Sequence, residues 1–248
     1  LQISATDIPN LTTVTDLSRM FDGCTILNSP SNIGSWNTTA VTNMSLMFNG
    51  ASAFNQNIGS WNTTAVQFMV AMFNGASAFN QNIGSWTTSA VTDMGGMFSG
   101  ASVFNQNIGA WSTPLVNNMS YMFYGASAFN QPIGGWITSA VTDMNSMFEG
   151  ASAFNQNLGT WTLRTAGVTL DNMLDNCGMD CYNYSATLMG WAIPSTPTNR
   201  TFFVPGRLYT SAAVTARSYL TGTKNWLILQ DARVGGTPVL VIAGQSIT

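Results

Sequence analysis

Apolar positions in the first two thirds of the chain return on a fixed long period. Trp36, Trp61, Trp86, Trp111, Trp136 and Trp161 stand 25 residues apart without a slip. Met-Phe pairs recur at 47–48, 72–73, 97–98, 122–123 and 147–148, and Phe-Asn-Gln recurs at 54–56, 79–81, 104–106, 129–131 and 154–156. The unit reads W-x-T-x-x-V-x-x-M-x-x-M-F-x-G-A-S-x-F-N-Q-x-I-G-x. A constant period of this kind marks stacked repeats, each burying its apolar face against its neighbours. An earlier copy, Val14–Gly23, joins Trp36 with two extra residues, and a degraded copy runs from Val168 through Met173. About six or seven coils result, irregular at both ends as capping repeats are.

Inside one unit, Val41, Met44, Met47/Phe48 and Ala51 fall at helical spacing, with Gly50 as a stop signal. The other half, with Phe54, Ile58 and Trp61 turned inward, predicts one short strand near Ile58–Trp61. The expected fold class is an α/β repeat: a leucine-rich-repeat-like right-handed solenoid of short helices and short parallel strands, closed by a small α+β C-terminal cap. The column Asn55, Asn80, Asn105, Asn130 and Asn155, each followed by Gln, reads as a ladder that bonds the backbone of the adjoining coil. The column Thr38, Thr63, Thr88, Thr113 and Thr138 reads as helix N-caps, or as a flat exposed face such as ice-binding proteins use.

Four regions follow: an N-terminal strand or cap over 1–10, the repeat domain over 11–192, a C-terminal cap over 193–234, and a linker with a terminal strand over 235–248. The cap predicts strands at Thr201–Val204 and Trp226–Gln230 and a short helix with Ser211 as its N-cap. Gly235-Gly236-Thr237 is the linker signal before an apolar, β-prone segment, Pro238–Ala243. Residues 1–163 hold six acids and one base, and residues 164–248 four acids and six bases, so the net charges are −5 and +2.

Composition narrows the function classes. Apolar residues are 45% of the 248, enough for a substantial core, but charged residues are only 7%, against roughly 25% in an average soluble domain. Seven Lys and Arg offer no basic surface for nucleic acid, and the absence of histidine removes the usual neutral-pH acid/base and metal ligand. No apolar run approaches the roughly 20 residues of a membrane span, and no leader-like charged and apolar pair of regions follows Leu1. Cys177 and Cys181 could close a small disulfide loop in an oxidising compartment. Asp171, Asp175 and Asp180 form the densest acidic group, at a spacing that fits no EF-hand loop. No nucleophile motif or phosphate-cradling loop is present, so neither an enzyme nor a cofactor is expected.

Scarce charge demands another source of solvation. Seven Asn-x-Ser/Thr sequons begin at Asn10, Asn37, Asn43, Asn62, Asn118, Asn183 and Asn199, and N-linked glycans on them would supply it. Asn37, Asn62, Asn118 and Asn199 are the first candidates.

The segment M-F-x-G-A-S-A-F-N-Q-N-I-G-S-W-N-T-x-A-V-x-x-M resembles the 25-residue repeat of BspA-like leucine-rich-repeat surface proteins, over roughly residues 11–175. C-G-M-D-C-Y-N-Y-S-A-T-L-M-G-W-A (Cys177–Ala192) and the later A-A-V-T-A-R-S-Y-L…N-W-L-I-L-Q-D are similar to that family's closing region. The resemblance implies a secreted or surface-anchored protein of adhesion, aggregation or surface architecture, with no catalytic residues to transfer. The expected function is a non-enzymatic extracellular structural subunit, glycosylated and assembling head to tail with its own copies into a fibre or sheath. Its assembly strand would be Val239, Leu240, Val241, Ile242 and Ala243, pairing with a neighbouring subunit alongside Gln2–Ile8. The alternative is a monomeric cell-surface module whose repeated face binds a glycan, a protein or ice.

Overall fold

The computed structural model of the protein describes residues 7–235. Seven successive segments stack through parallel backbone bridges, Asp16 to Asn43, Asn43 to Phe68, Phe68 to Asp93, Asp93 to Asn118, Asn118 to Asp143 and Asp143 to Thr169. The protein is a repeat protein with short parallel strands and small helices. The α-helices, however, lie outside the repeats, α1 at Cys181–Trp191 and α2 at Val214–Ser218, while the first coil holds a 3-10 turn at Ile33–Ser35.

The repeat unit is therefore built differently from its expected helix and strand. Where the spacing predicts a helix, the backbone makes successive four-residue turns: Val41 N–H bonds Thr38 O, Met47 bonds Met44, and Ala51 bonds Phe48, at 2.9–3.2 Å. The intervening N–H groups of Met44, Leu46, Phe48 and Gly50 donate outward, to Phe68, Val70, Met72 and Asn74 of the next coil. A helix would have spent these donors internally. Leu46 and Gly50 hold φ of 60° and 66°, in the left-handed region that breaks a right-handed helix. Over ten residues, an apolar period of 3 and one of 3.6 place the same side chains inward, which is why the spacing read as helical. The inter-coil ladder accordingly runs through the Met-Phe half. Ile58–Trp61, the expected strand, is a turn closed by Trp61 N–H on Ile58 O at 3.1 Å.

Identical side chains form columns through the core. Phe48, Phe73, Phe98, Phe123 and Phe148 stack at 5.6 Å between ring centroids. Tryptophans 36 to 161 stack at 6.3–6.5 Å in neighbouring coils on one face. Each indole N–H from Trp61 onward donates to a carbonyl of the preceding coil, as Trp61 does to Ile33 O at 2.8 Å and Trp111 to Ile83 O at 3.1 Å. Burying a tryptophan without such a partner would leave a desolvated donor.

α1 completes the stack. Its Trp191 donates to Leu158 O at 3.1 Å, the role the earlier tryptophans play. Beyond it, β1 (Thr201–Phe203) pairs parallel with β3 (Leu227–Leu229), and β2 (Leu208–Tyr209) with β4 (Ala232–Arg233). Phe202 and Trp226 pack on Trp191, at 5.7 and 6.2 Å between rings, and extend the core into the cap. Ser211 begins a 3-10 turn, Ser211–Ala213, whose N-cap is Thr210, so the expected cap shifts by one residue.

Glycine is required where coils approach closest. A Cβ on Gly84 would lie 2.5 Å from Asn107 O of the next coil, a backbone atom that cannot swing away. Gly84→Ala should therefore cost about 1–3 kcal/mol, read as a lowered midpoint in chemical unfolding. An unchanged midpoint would mean the coils are not stacked in this register.

Candidate functional site

The polar columns are structural, because their partners lie in the adjoining coils. Each column asparagine's Oδ1 accepts the backbone N–H of the next one, as Asn80 does from Asn105 at 3.0 Å. The same Oδ1 and the asparagine's carbonyl accept from the next coil's glutamine, Gln106 Nε2, at 2.9 and 3.0 Å. The threonine column is buried and donates to the following coil: Thr38 to Asn62 O, Thr63 to Thr87 O, Thr88 to Ser112 O, Thr113 to Ile137 O and Thr138 to Thr162 O, at 2.8–3.0 Å. It therefore caps no helix and presents no exposed face. A hydroxyl pointed inward finds a carbonyl, and a flat outer row needs the opposite orientation.

The seven sequons divide by what holds the amide nitrogen, the atom a glycan attaches to. Asn10, Asn37 and Asn62 are exposed, and each Oδ1 accepts the N–H two residues on, at 3.0–3.2 Å, with Nδ2 turned to no protein acceptor. Asn199 is exposed, and its Nδ2 makes only a long 3.4 Å contact with Thr198. Asn43, Asn118 and Asn183 are half-buried, and their Nδ2 groups donate to Asp16, Asp93 and Asn155. Asn118 thus sits poorly as an acceptor, because it lies on the bridge line between coils. The sequence shows only the triplet, not which way its side chain faces.

At the C-terminal end, Asp180 takes the place of the next ladder asparagine. Its N–H donates to Asn155 Oδ1 at 2.9 Å, its Oδ2 accepts from Asn155 Nδ2 at 2.8 Å, and its Oδ1 accepts Asn183 N–H at 2.8 Å as the N-cap of α1. The hydrogen bond from Asn155, then that from the Asn183 backbone, holds its carboxyl below the ordinary range. Asp171, Asp175 and Asp180 do not converge: among the described residues no group of three or more His, Cys, Asp or Glu side chains could hold a metal ion. Cys177 and Cys181 are free thiols rather than a disulfide. Cys177 is buried facing Arg207 Nη1 at 3.7 Å, while Cys181 opens α1; burial pushes the Cys177 thiol up. The cap also encloses Asp231, which accepts from Arg217 Nη2 at 2.6 Å and from the Tyr184 hydroxyl at 3.0 Å. Burial drives the Tyr184 hydroxyl well above its usual value, so it stays protonated as that donor. Sequence reading missed this triad, because its members lie up to 47 residues apart and no local spacing links them.

Among the described residues, no coil precedes that of Asp16–Gly23. In later coils the carbonyls at this register accept from the coil before: Asn43 O from Leu17, Ser45 O from Arg19, Met47 O from Phe21 and Asn49 O from Gly23. Among the described residues, Asp16, Ser18, Met20 and Asp22 carry carbonyls with no backbone donor. Trp36 Nε1, buried at the foot of the tryptophan column, has no partner among the described residues either. The expected assembly strand, Val239, Leu240, Val241, Ile242 and Ala243, lies outside the described residues, as does most of Gln2–Ile8. No helix among the described residues is long and apolar enough to cross a membrane.

The chain matches the family described as "Mycoplasma protein of unknown function, DUF285" twice, over residues 2–101 and 80–187. No curated protein and no solved structure matched it.

A carboxyl with a depressed folded value stabilises above its unfolded value, near pH ~4, and loses that contribution as pH falls through the folded one. Asp180→Asn keeps an oxygen for the Asn183 N–H, gives up the bond from Asn155 Nδ2, and removes this titration. Between pH 7 and pH 3, the thermal midpoint of the variant should fall less than that of the wild type. Equal falls would show that Asp180 is not the acid-sensitive rung.

Proposed function

This chain belongs to the DUF285 family, and on that premise we propose that it is a non-enzymatic structural subunit of a cell surface, related to the BspA-like surface-repeat proteins. In this reading the stack is a right-handed solenoid, the protein is extracellular and N-glycosylated, and copies join head to tail into a fibre or sheath. The observation that carries the proposal is the row of carbonyls on Asp16, Ser18, Met20 and Asp22, which among the described residues lack the donors every later coil receives. A row of unpaired acceptors at strand spacing is a template for an added strand. Exposed Met20 and Ile26 beside it give the incoming segment apolar surface to cover.

The proposed occupant is Val239–Ala243 of a second copy, an apolar segment whose N–H groups would meet the open row. Such a contact joins two different surfaces and does not close on itself, so it propagates a filament. The −5 and +2 halves favour the same polarity, weakly once salt screens them. Negative-stain microscopy of the full chain should show filaments, and deletion of 238–248 should abolish them. Persistence of filaments in the truncated protein, or single particles of the full chain at high concentration, would overturn the strand-exchange reading.

Glycans fill the gap left by scarce charge. In material from the native source, sugar is expected on Asn37 or Asn62, and on Asn10 or Asn199, with Asn43, Asn118 and Asn183 bare. Peptide mapping distinguishes the two groups. An intact mass equal to the 26.5 kDa chain would refute the glycoprotein reading.

A further inference from the structure

One coil departs from the others on its outer wall. At the positive-φ position of the turn, successive coils carry Arg19, Leu46, Ala71, Gly96, Tyr121, Ser146 and Asn172. Three residues on, they carry Asp22, Asn49, Asn74, Ser99, Tyr124, Glu149 and Asp175. Only the coil of Tyr121 and Tyr124 places an aromatic ring at both. The rings are 45% and 42% exposed, with centroids 5.9 Å apart and planes inclined by 56°. Neither ring belongs to the core columns. Tyr121 also holds φ at 57°, an unfavourable conformation for a bulky side chain, where the preceding coil uses glycine.

The coil before the tyrosines is cut back to Gly96 and Ser99, which leaves an open cleft of about 540 Å³. Its floor and sides include Asn74, Gly96, Ser99, Tyr121, Tyr124 and Glu149. Asn145 Nδ2 donates to the Tyr121 hydroxyl at 3.1 Å and holds that ring in place. Two aromatic faces, that of Tyr121 held by Asn145, flanked by an amide, a hydroxyl and a carboxylate, combine flat apolar area with hydrogen-bonding groups. Among the described residues, no lining side chain is basic.

We propose that this cleft is an oligosaccharide-binding site, in which Tyr121 and Tyr124 contact the apolar faces of neutral pyranose rings and Asn74, Ser99 and Glu149 bond their hydroxyls. Three features select a neutral sugar. The amide, hydroxyl and carboxylate pair with hydroxyls. The tyrosines offer area without the depth an apolar peptide anchor needs. Glu149, with no cation beside it, repels acidic sugars. The site lies on the wall of the stack, away from its ends, so it does not depend on assembly.

The repeats themselves supply folded controls. Tyr121→Ala installs the residue of Ala71's position, and Tyr124→Ser that of Ser99. Gly96→Leu installs the residue of Leu46's position and fills the cleft while keeping both tyrosines. Saturation-transfer NMR on the full chain would use cellohexaose, maltohexaose and chitohexaose as neutral probes and a sialylated oligosaccharide as the acidic one. At least one neutral probe is expected to bind, with affinity at least fivefold weaker in each of the three variants and thermal midpoints unchanged in the tyrosine variants. The proposal is overturned by no transfer to any neutral probe, by binding of the sialylated probe alone, or by a loss under fivefold in either tyrosine variant. Should a tyrosine variant fail to fold, Gly96→Leu decides by the same threshold. Filaments without sugar binding would sink this site and leave the assembly reading intact.

Discussion

Hydrogen bonding between adjacent coils is the constraint on which the rest of the structure depends. Every second N–H of the Met-Phe segment leaves its own coil and reaches a carbonyl of the next, while between them Met47 and Asn49 close turns onto Met44 and Leu46 and Ser45 bonds the Asn43 side chain. The backbone is thereby satisfied with almost no regular secondary structure inside the repeat, which any buried irregular segment must achieve somehow. Side chains complete the same task on the other faces: the asparagine-glutamine ladder, the buried threonines and the indole N–H groups all bond a neighbouring coil. A single coil removed from this stack would expose donors and acceptors on both sides.

That constraint accounts for two features of composition. Asparagine, glutamine and threonine are abundant because the coil-to-coil contacts consume neutral polar groups. Charged groups are scarce because they would be poorly placed between stacked coils, where a buried charge needs its own counter-ion. The cap obeys the same rule: its buried Asp231 is held by Arg217 and Tyr184. Positions that face neither the core nor a neighbouring coil are free to vary. It is there that a departure from the repeat, such as the two tyrosines, has room to carry a function.

The two ends of the stack are treated differently. At one end α1 substitutes for a coil, with Asp180, Asn183 and Trp191 performing the bonds of the ladder asparagine, the glutamine and the tryptophan. Helical backbone satisfies its own groups, so it stops the ladder. At the other end, among the described residues, the carbonyl row and Trp36 Nε1 have no such closure. This asymmetry gives the stack a direction.

The period of 25 residues, the inward tryptophans, phenylalanines and methionines, and the asparagine ladder were all determined by the sequence alone. Stacked repeats bury identical positions, and identity at fixed spacing is visible without coordinates. The conformation of the unit was not: Val41, Met44, Met47 and Ala51 point inward equally well from a helix or from linked turns. Only tertiary bonding to the next coil, with Leu46 and Gly50 at positive φ, decides for turns. The direction of Thr38 and its equivalents, the split between open Asn37 and engaged Asn118, and the Tyr184–Asp231–Arg217 triad were likewise decided in three dimensions. Each depends on which groups a neighbouring coil or the cap presents, and the bonded partners lie 14 to 47 positions away.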